Sequence, residues 1–188
     1  MKLVLETAKE VQDYCEKNGW AFCFIGGIAL QRWGIPRNTL DVDLTLLTGI
    51  GSEEEVTRKI LESFKSRIDE NPLGFFLPRR IVLVSRNNVG IDISLGATGF
   101  EESSIERSSY FEFIKGIKLR TCSAEDLIVH KAFANRLKDW ADIENVISVQ
   151  EILDWGYIYE NLKPLAELLY APEILTDLEK IRIRFSNR

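Results

Sequence analysis

The sequence predicts an α/β amino-terminal part, residues 1–120, followed by a helical carboxy-terminal part, residues 121–188. Three observations predict it. Apolar runs of strand length (Trp20–Ile25, Leu40–Leu47, Ile81–Val84 and Val89–Leu95) alternate with helical patterns up to about residue 120. From Ser123 onward the patterning is helical alone. The chain has 188 residues, 45% hydrophobic and 28% charged, with only 12 Gly and 5 Pro. A chain of that size buries roughly 70% of its unfolded surface, so its core needs neither disulfides nor a structural metal.

Residues 5–17 carry a helical pattern that Asn18-Gly19 stops. Trp20–Ile25 reads as a strand ending at Gly26-Gly27, with a short helix over Ile28–Trp33. In Leu40–Leu47, Leu40, Val42, Leu44 and Leu46 fall on one face and Asp41, Asp43 and Thr45 on the other, the period of a strand with one buried face. Ser52 with Glu55 reads as a capping box opening a helix to about Ile68. Asn71-Pro72-Leu73-Gly74 reads as a turn, and Arg86-Asn87-Asn88 as the link between strands Ile81–Val84 and Val89–Leu95. Phe100–Ser108 reads as a connecting helix, and Tyr110–Leu119 has partial strand character. Ser123 with Asp126 makes a second capping box; the helix behind it is expected to reach about Val149, with a break near Asp139. Ile152–Ile183 is helical by pattern, with breaks expected at Pro164 and Pro172.

Composition removes several classes. Twenty-four Lys and Arg against 29 Asp and Glu give a formal charge of -5, a poor non-specific binder of nucleic-acid backbone. The three cysteines, Cys15, Cys23 and Cys122, form no CxxC pair and read as reduced, buried thiols. A single histidine, His130, leaves no zinc site of familiar spacing and makes a Ser-His-Asp hydrolase a poor fit. No apolar run approaches the roughly 20 residues that span a bilayer, and Met1–Gly19 carries acids throughout, unlike a signal peptide. The expected location is cytoplasmic, with no membrane partner.

Three elements carry chemistry. Asp41-Val42-Asp43 lies on a strand, where i and i+2 point the same way, so both carboxylates can converge on a hard divalent cation such as Mg²⁺. Gly26-Gly27, between strand and helix, lets backbone amides approach a phosphate. In Val89–Leu95, Ile91, Ile93 and Leu95 form the apolar face, so Asp92 and Ser94 face the other way, and Asp92 can complete a two-metal site. Each element alone is ordinary; their order along the chain is specific.

With these residues in place the sequence resembles the nucleotidyltransferase superfamily typified by DNA polymerase β. The resemblance runs from Phe24-Ile-Gly-Gly-Ile-Ala-Leu through Arg37-Asn-Thr39-Leu-Asp41-Val-Asp43-Leu. Ala124–Lys131 and Arg136–Ile143 are similar to the Lys, Arg and paired-Asp pattern of the AbiEii/AbiGii toxin branch, nucleotidyltransferase toxins of bacterial toxin–antitoxin or phage-abortive systems. Many superfamily members have Gly-Ser where this chain has Gly26-Gly27, so a serine contact to phosphate is missing and backbone amides would serve. The resemblance covers most of residues 20–147.

It implies an α+β fold, a nucleotidyltransferase-type mixed β-sheet flanked by helices. It implies two Mg²⁺ ions held by Asp41, Asp43 and Asp92, which are also the catalytic residues, Asp92 helping to deprotonate an acceptor hydroxyl. Gly26, Gly27, Arg37, Thr39, Lys131 and Asp142 would bind the nucleoside triphosphate, Asp142 orienting Lys131. If the helix behind Ser123 is continuous, Lys131, Asn135, Lys138 and Asp142 form a single stripe. The expected acceptor is tRNA or another RNA, or a protein, and whether an antitoxin partners the chain is left open. Two alternatives share the layout: an antibiotic-modifying nucleotidyltransferase acting on a small hydroxylated molecule, and a non-catalytic nucleotide-binding or antitoxin-like module.

Overall fold

A computed structural model describes residues 1–186; the last two residues of the expected carboxy-terminal part lie outside the described residues. The chain divides into two compact units, Met1–Ile28 with Asn38–Cys122, and Ala29–Arg37 with Ser123–Arg188.

The first unit contains α1 (Lys2–Lys17), β1 (Phe22–Phe24), the start of α2 (Gly26–Trp33), β2 (Asp41–Leu47), α3 (Glu53–Ser63) and β3 (Lys65–Ser66). It continues with α4 (Pro72–Arg79), β4 (Ile81–Arg86), β5 (Val89–Gly96), α5 (Gly99–Glu106), β6 (Ser109–Ile114) and β7 (Ile117–Thr121). Its sheet runs β3-β4-β5-β2-β1-β7-β6. It is mixed: β2 is parallel to β5 and β1 to β7, while β1–β2, β3–β4, β4–β5 and β6–β7 are antiparallel. The alternation in β2 and β5 sends Val42, Leu44, Leu46, Ile91, Ile93 and Leu95 into one core with Val4, Leu5, Ala8 and Val11 of α1. Fully burying each large aliphatic there stabilises by about 1.5–3 kcal/mol. Asp41, Asp43 and Asp92 are left on the opposite face.

The second unit contains the rest of α2, then α6 (Ala124–Ala134), α7 (Leu137–Val149), α8 (Trp155–Leu168) and α9 (Glu173–Ser186). Its buried residues include Leu127, Ile128, Ile143, Val146, Ile158, Leu162, Ile174 and Leu178. The Gln150 side-chain amide donates to the Trp33 carbonyl at 2.7 Å, tying the end of α2 to this unit. Asp126 is buried on α6 and accepts from the hydroxyls of Ser123 and Tyr157, each at 2.6 Å.

Several local expectations change. Leu40 lies outside β2 and is 79% exposed, because the ladder to β5 begins at Asp41. Ser52 makes no side-chain cap; instead the Gly51 amide donates to Glu53 at 2.7 Å, and Glu55 pairs with Lys59. The helix expected to reach Ile68 ends at Ser63, because Phe64 turns extended and buried and Lys65–Ser66 pair with β4. Asn71-Pro72 starts α4 rather than a free turn: Asn71 caps the Gly74 amide, and proline suits a first helical position. Helix α8 runs through Pro164. The lost hydrogen bond is offset by burial of Ile158, Leu162 and Ala166 on the same helix. Asn87 and Asn88 both have positive φ, as a tight hairpin turn requires.

Candidate active site

In the first unit the polar face of β2 and β5 assembles the acids. The parallel register sets Asp43 opposite Asp92 and Asp41 opposite Gly90. Register partners share a face with their backbones about 4.8 Å apart, so Asp43 and Asp92 stand side by side. Asp41 is exposed, and Asp43 and Asp92 are half-buried.

Glycines border two of the carboxylates. Gly26 has φ +54, and a Cβ there would fall inside the Asp43 carboxylate. A Cβ on Gly90 would run into Asp41 Oδ1. The Gly27 amide donates to Asp43 Oδ2 at 3.3 Å, so in this structure it serves the acid. The Ile25 amide donates to the Asp43 carbonyl at 3.0 Å. Thr39 is buried, abuts Gly27 and donates to the Asp41 carbonyl at 3.3 Å. Gly26, Gly27, Thr39, Asp41, Asp43 and Asp92 therefore occupy one neighbourhood of the first unit.

One residue in it has no sequence signal. Arg67 donates through Nη1 to Asp92 Oδ1 at 2.5 Å. Its backbone amide bonds the Leu83 carbonyl, and Leu83 is the register partner of Asp92 on β4. Arg67, Leu83, Asp92 and Asp43 thus form a row across four chain segments, and the arginine reaches over one strand to the acid. Only the sheet order brings them together.

The donor set tests the fit to magnesium. Three carboxylates on adjacent strands are the hard oxygen ligands that Mg²⁺ takes, with phosphate and water completing its shell. In the present arrangement Asp92 is turned to Arg67, and no three Asp, Glu, His or Cys groups among the described residues converge on one point. The residues fit the ion in type and share one face of the sheet.

The second unit carries a separate charged cluster. The expected stripe is absent, because α6 ends at Asn135 in the left-handed conformation and α7 starts at Leu137. The break falls before Asp139. Asparagine tolerates that backbone, and its side chain accepts from the Trp140 indole at 2.8 Å. Helix α7 consequently brings Asp139 and Asp142 back to Lys131 of α6. Lys131 Nζ donates to Asp142 Oδ2 at 2.6 Å and to Asp139 Oδ1 at 3.3 Å, and all three residues are buried. Arg37 grips Asp142 through Nε and Nη2, at 2.8 and 2.7 Å. Arg136 Nε donates to Asp139 Oδ2 at 2.5 Å. Burial would raise the Asp142 pKa, but the hydrogen bonds and charges of Arg37 and Lys131 outweigh it and hold the carboxyl below its ordinary value. Three cations thus meet two buried carboxylates, with Arg37 and Arg136 reaching solvent. Spacing could have suggested Arg136 and Asp139, which are i and i+3.

A family model described as nucleotidyl transferase AbiEii toxin, type IV TA system, matches residues 16–156. No curated protein matches the chain in sequence. Among solved structures, the chain is similar to an antigenic nucleotidyltransferase-like protein from Paracoccidioides brasiliensis, at 16% identity over 94% of this chain and 92% of that one, TM-score 0.49. It is also similar to ANT(2")-Ia in complex with adenylyl-2"-tobramycin, at 16% identity over 98% and 99%, TM-score 0.49. A third is the lincosamide antibiotic adenylyltransferase LnuA bound to lincomycin, at 16% identity over 75% and 94%, TM-score 0.48. No helix among the described residues is long and apolar enough to cross a membrane.

Proposed function

Because this chain belongs to the family of AbiEii nucleotidyl transferase toxins of type IV toxin–antitoxin systems, we propose that it moves a nucleoside monophosphate from a nucleoside triphosphate to a hydroxyl of tRNA or another RNA, using Mg²⁺. The observation that carries the reading is the register of β2 on β5, with Asp43 beside Asp92 and Asp41 on the same face.

In the proposed reaction the acceptor oxygen attacks the α-phosphate in line. The new bond joins that oxygen to phosphorus, the bond to the bridging oxygen breaks, and pyrophosphate leaves. Asp92 takes the acceptor proton. Asp41, Asp43 and Asp92 would hold Mg²⁺, which when bound neutralises charge on the phosphates. The Gly27 amide and the Thr39 hydroxyl would meet phosphate oxygens in exchange for their present contacts with Asp43 and the Asp41 carbonyl. Arg37 and Lys131 are proposed to bind nucleotide phosphate, with Asp142 fixing their geometry. Catalysis of this kind rests on positioning and charge neutralisation, with no covalent intermediate on the protein.

The test incubates the protein with each α-labelled triphosphate, Mg²⁺ and, in separate reactions, total RNA, total protein or a panel of aminoglycosides and lincosamides. Label in RNA is the expected result and identifies donor and acceptor together. Label in the small molecules or in protein overturns the RNA acceptor. No label in any fraction overturns the transferase reading.

A further inference from the structure

We infer that Arg67 is a positioning residue, an internal cation that occupies the seat of a divalent ion at Asp92 and must leave when the ion arrives. The inference rests on the metal reading above and adds to it a residue that neither the motif nor the family resemblance includes.

Two observations place the guanidinium. Nη1 lies 2.5 Å from Asp92 Oδ1. The same Nη1 lies 3.0 Å from the position of a Cβ on Gly90, the residue opposite Asp41 whose Cβ would also strike Asp41 Oδ1. The nitrogen therefore sits over the one side-chain-free position beside Asp41 and Asp92. Like charges on neighbouring carboxylates repel, more strongly near a protein surface than in bulk water. A cation there relieves the carboxylates when no metal is present.

Arg67 is also built to leave. Its side chain is 39% exposed and that of Asp92 34%, so the pair is wet. Solvent-exposed pairs of this kind hold weakly. A divalent ion on the same oxygen cannot share it with the guanidinium, which would stand within a few ångströms of like charge. Loading through Oδ1 and the Arg67–Asp92 pair therefore exclude each other. The backbone of Arg67 stays fixed through its amide bond to Leu83, so release is a side-chain event.

The test is Mn²⁺ binding, followed by the electron paramagnetic resonance of free Mn²⁺ and by calorimetry, without nucleotide. Arg67→Gln should bind Mn²⁺ three- to tenfold more tightly than the wild type, and Arg67→Lys should lie between them. In an Asp92→Ala background the Arg67 substitution should change Mn²⁺ binding far less, since its partner oxygens are gone. Equal or weaker Mn²⁺ binding by Arg67→Gln, with binding in the wild type abolished by Asp43→Asn, overturns the role of Arg67 and leaves the metal site standing. No Asp43-dependent Mn²⁺ binding in either protein overturns both. The melting temperature of each variant without metal confirms that the compared proteins are folded.

Discussion

Asp43 of β2 and Asp92 of β5 are register partners in a parallel pair, so two carboxylates distant in sequence share one face of the sheet. Neither side chain contributes to the core; that role falls to Val42, Leu44, Ile91 and Ile93 on the other face. Chemistry and stability are thus separable at this site.

The first prediction follows from that separation. Asp43→Ala and Asp92→Asn should each lower nucleotide transfer by about 10²–10³-fold or more, the scale seen when one group stabilising a transition state is removed. Thermal unfolding followed by circular dichroism should move little in either variant. Transfer at the wild-type rate would remove these residues from the mechanism.

Gly26 tests the close approach to Asp43. Both Gly26 and Gly49 have positive φ, but only at Gly26 would a Cβ meet another residue. Placing alanine in the left-handed region costs about 1–2 kcal/mol at either position. Urea denaturation should show that loss for both Gly26→Ala and Gly49→Ala, while only Gly26→Ala should lose transfer, because only it displaces the Asp43 carboxylate.

The buried cluster of the second unit should dominate its stability. Removing one partner from a buried ion pair costs about 3–5 kcal/mol; Lys131→Met takes the buried cation from Asp139 and Asp142 but leaves them Arg136 and Arg37, so unfolding free energy should fall by up to that order. Denaturant titration measures it directly.

The same cluster sets a pH dependence. The folded-state pKa of Asp142 lies below its ordinary value, despite burial that pushes the other way, because Arg37 and Lys131 hold the ionised form. A depressed carboxylate contributes stability that is fully present above its unfolded pKa of about 4 and is lost as pH falls through the lower folded value. Stability measured from pH 7 downward should therefore fall below about pH 4, and Asp142→Asn should show a shallower fall. Equal slopes would assign the acid sensitivity elsewhere.

The cysteines should be silent in the native protein. Cys15, Cys23 and Cys122 are all buried, and burial pushes the Cys15 thiol up to about 12. A thiol reagent at pH 8 should label the folded chain only at the rate of unfolding, and all three positions rapidly in denaturant.

The sequence by itself determined the features that depend on local periodicity. The alternation in β2 and β5 already separates acids from core, Ser123 caps the α6 amide of Asp126, and the paired glycines mark the strand-to-helix junction. The face on which Asp41, Asp43 and Asp92 lie was legible because strand period fixes which way a side chain faces. Tertiary structure decided what meets across elements. Nothing local says that β2 lies between β5 and β1, and without that order Asp43 has no defined neighbour and Arg67 has no acid. The second unit shows the same limit. A helical stripe through Lys131 and Asp142 needs a continuous axis, and the left-handed Asn135 turns it into two facing helices whose charges close on one another. Periodicity is set by each residue's own backbone, whereas register and pairing are set by the burial of all the elements at once.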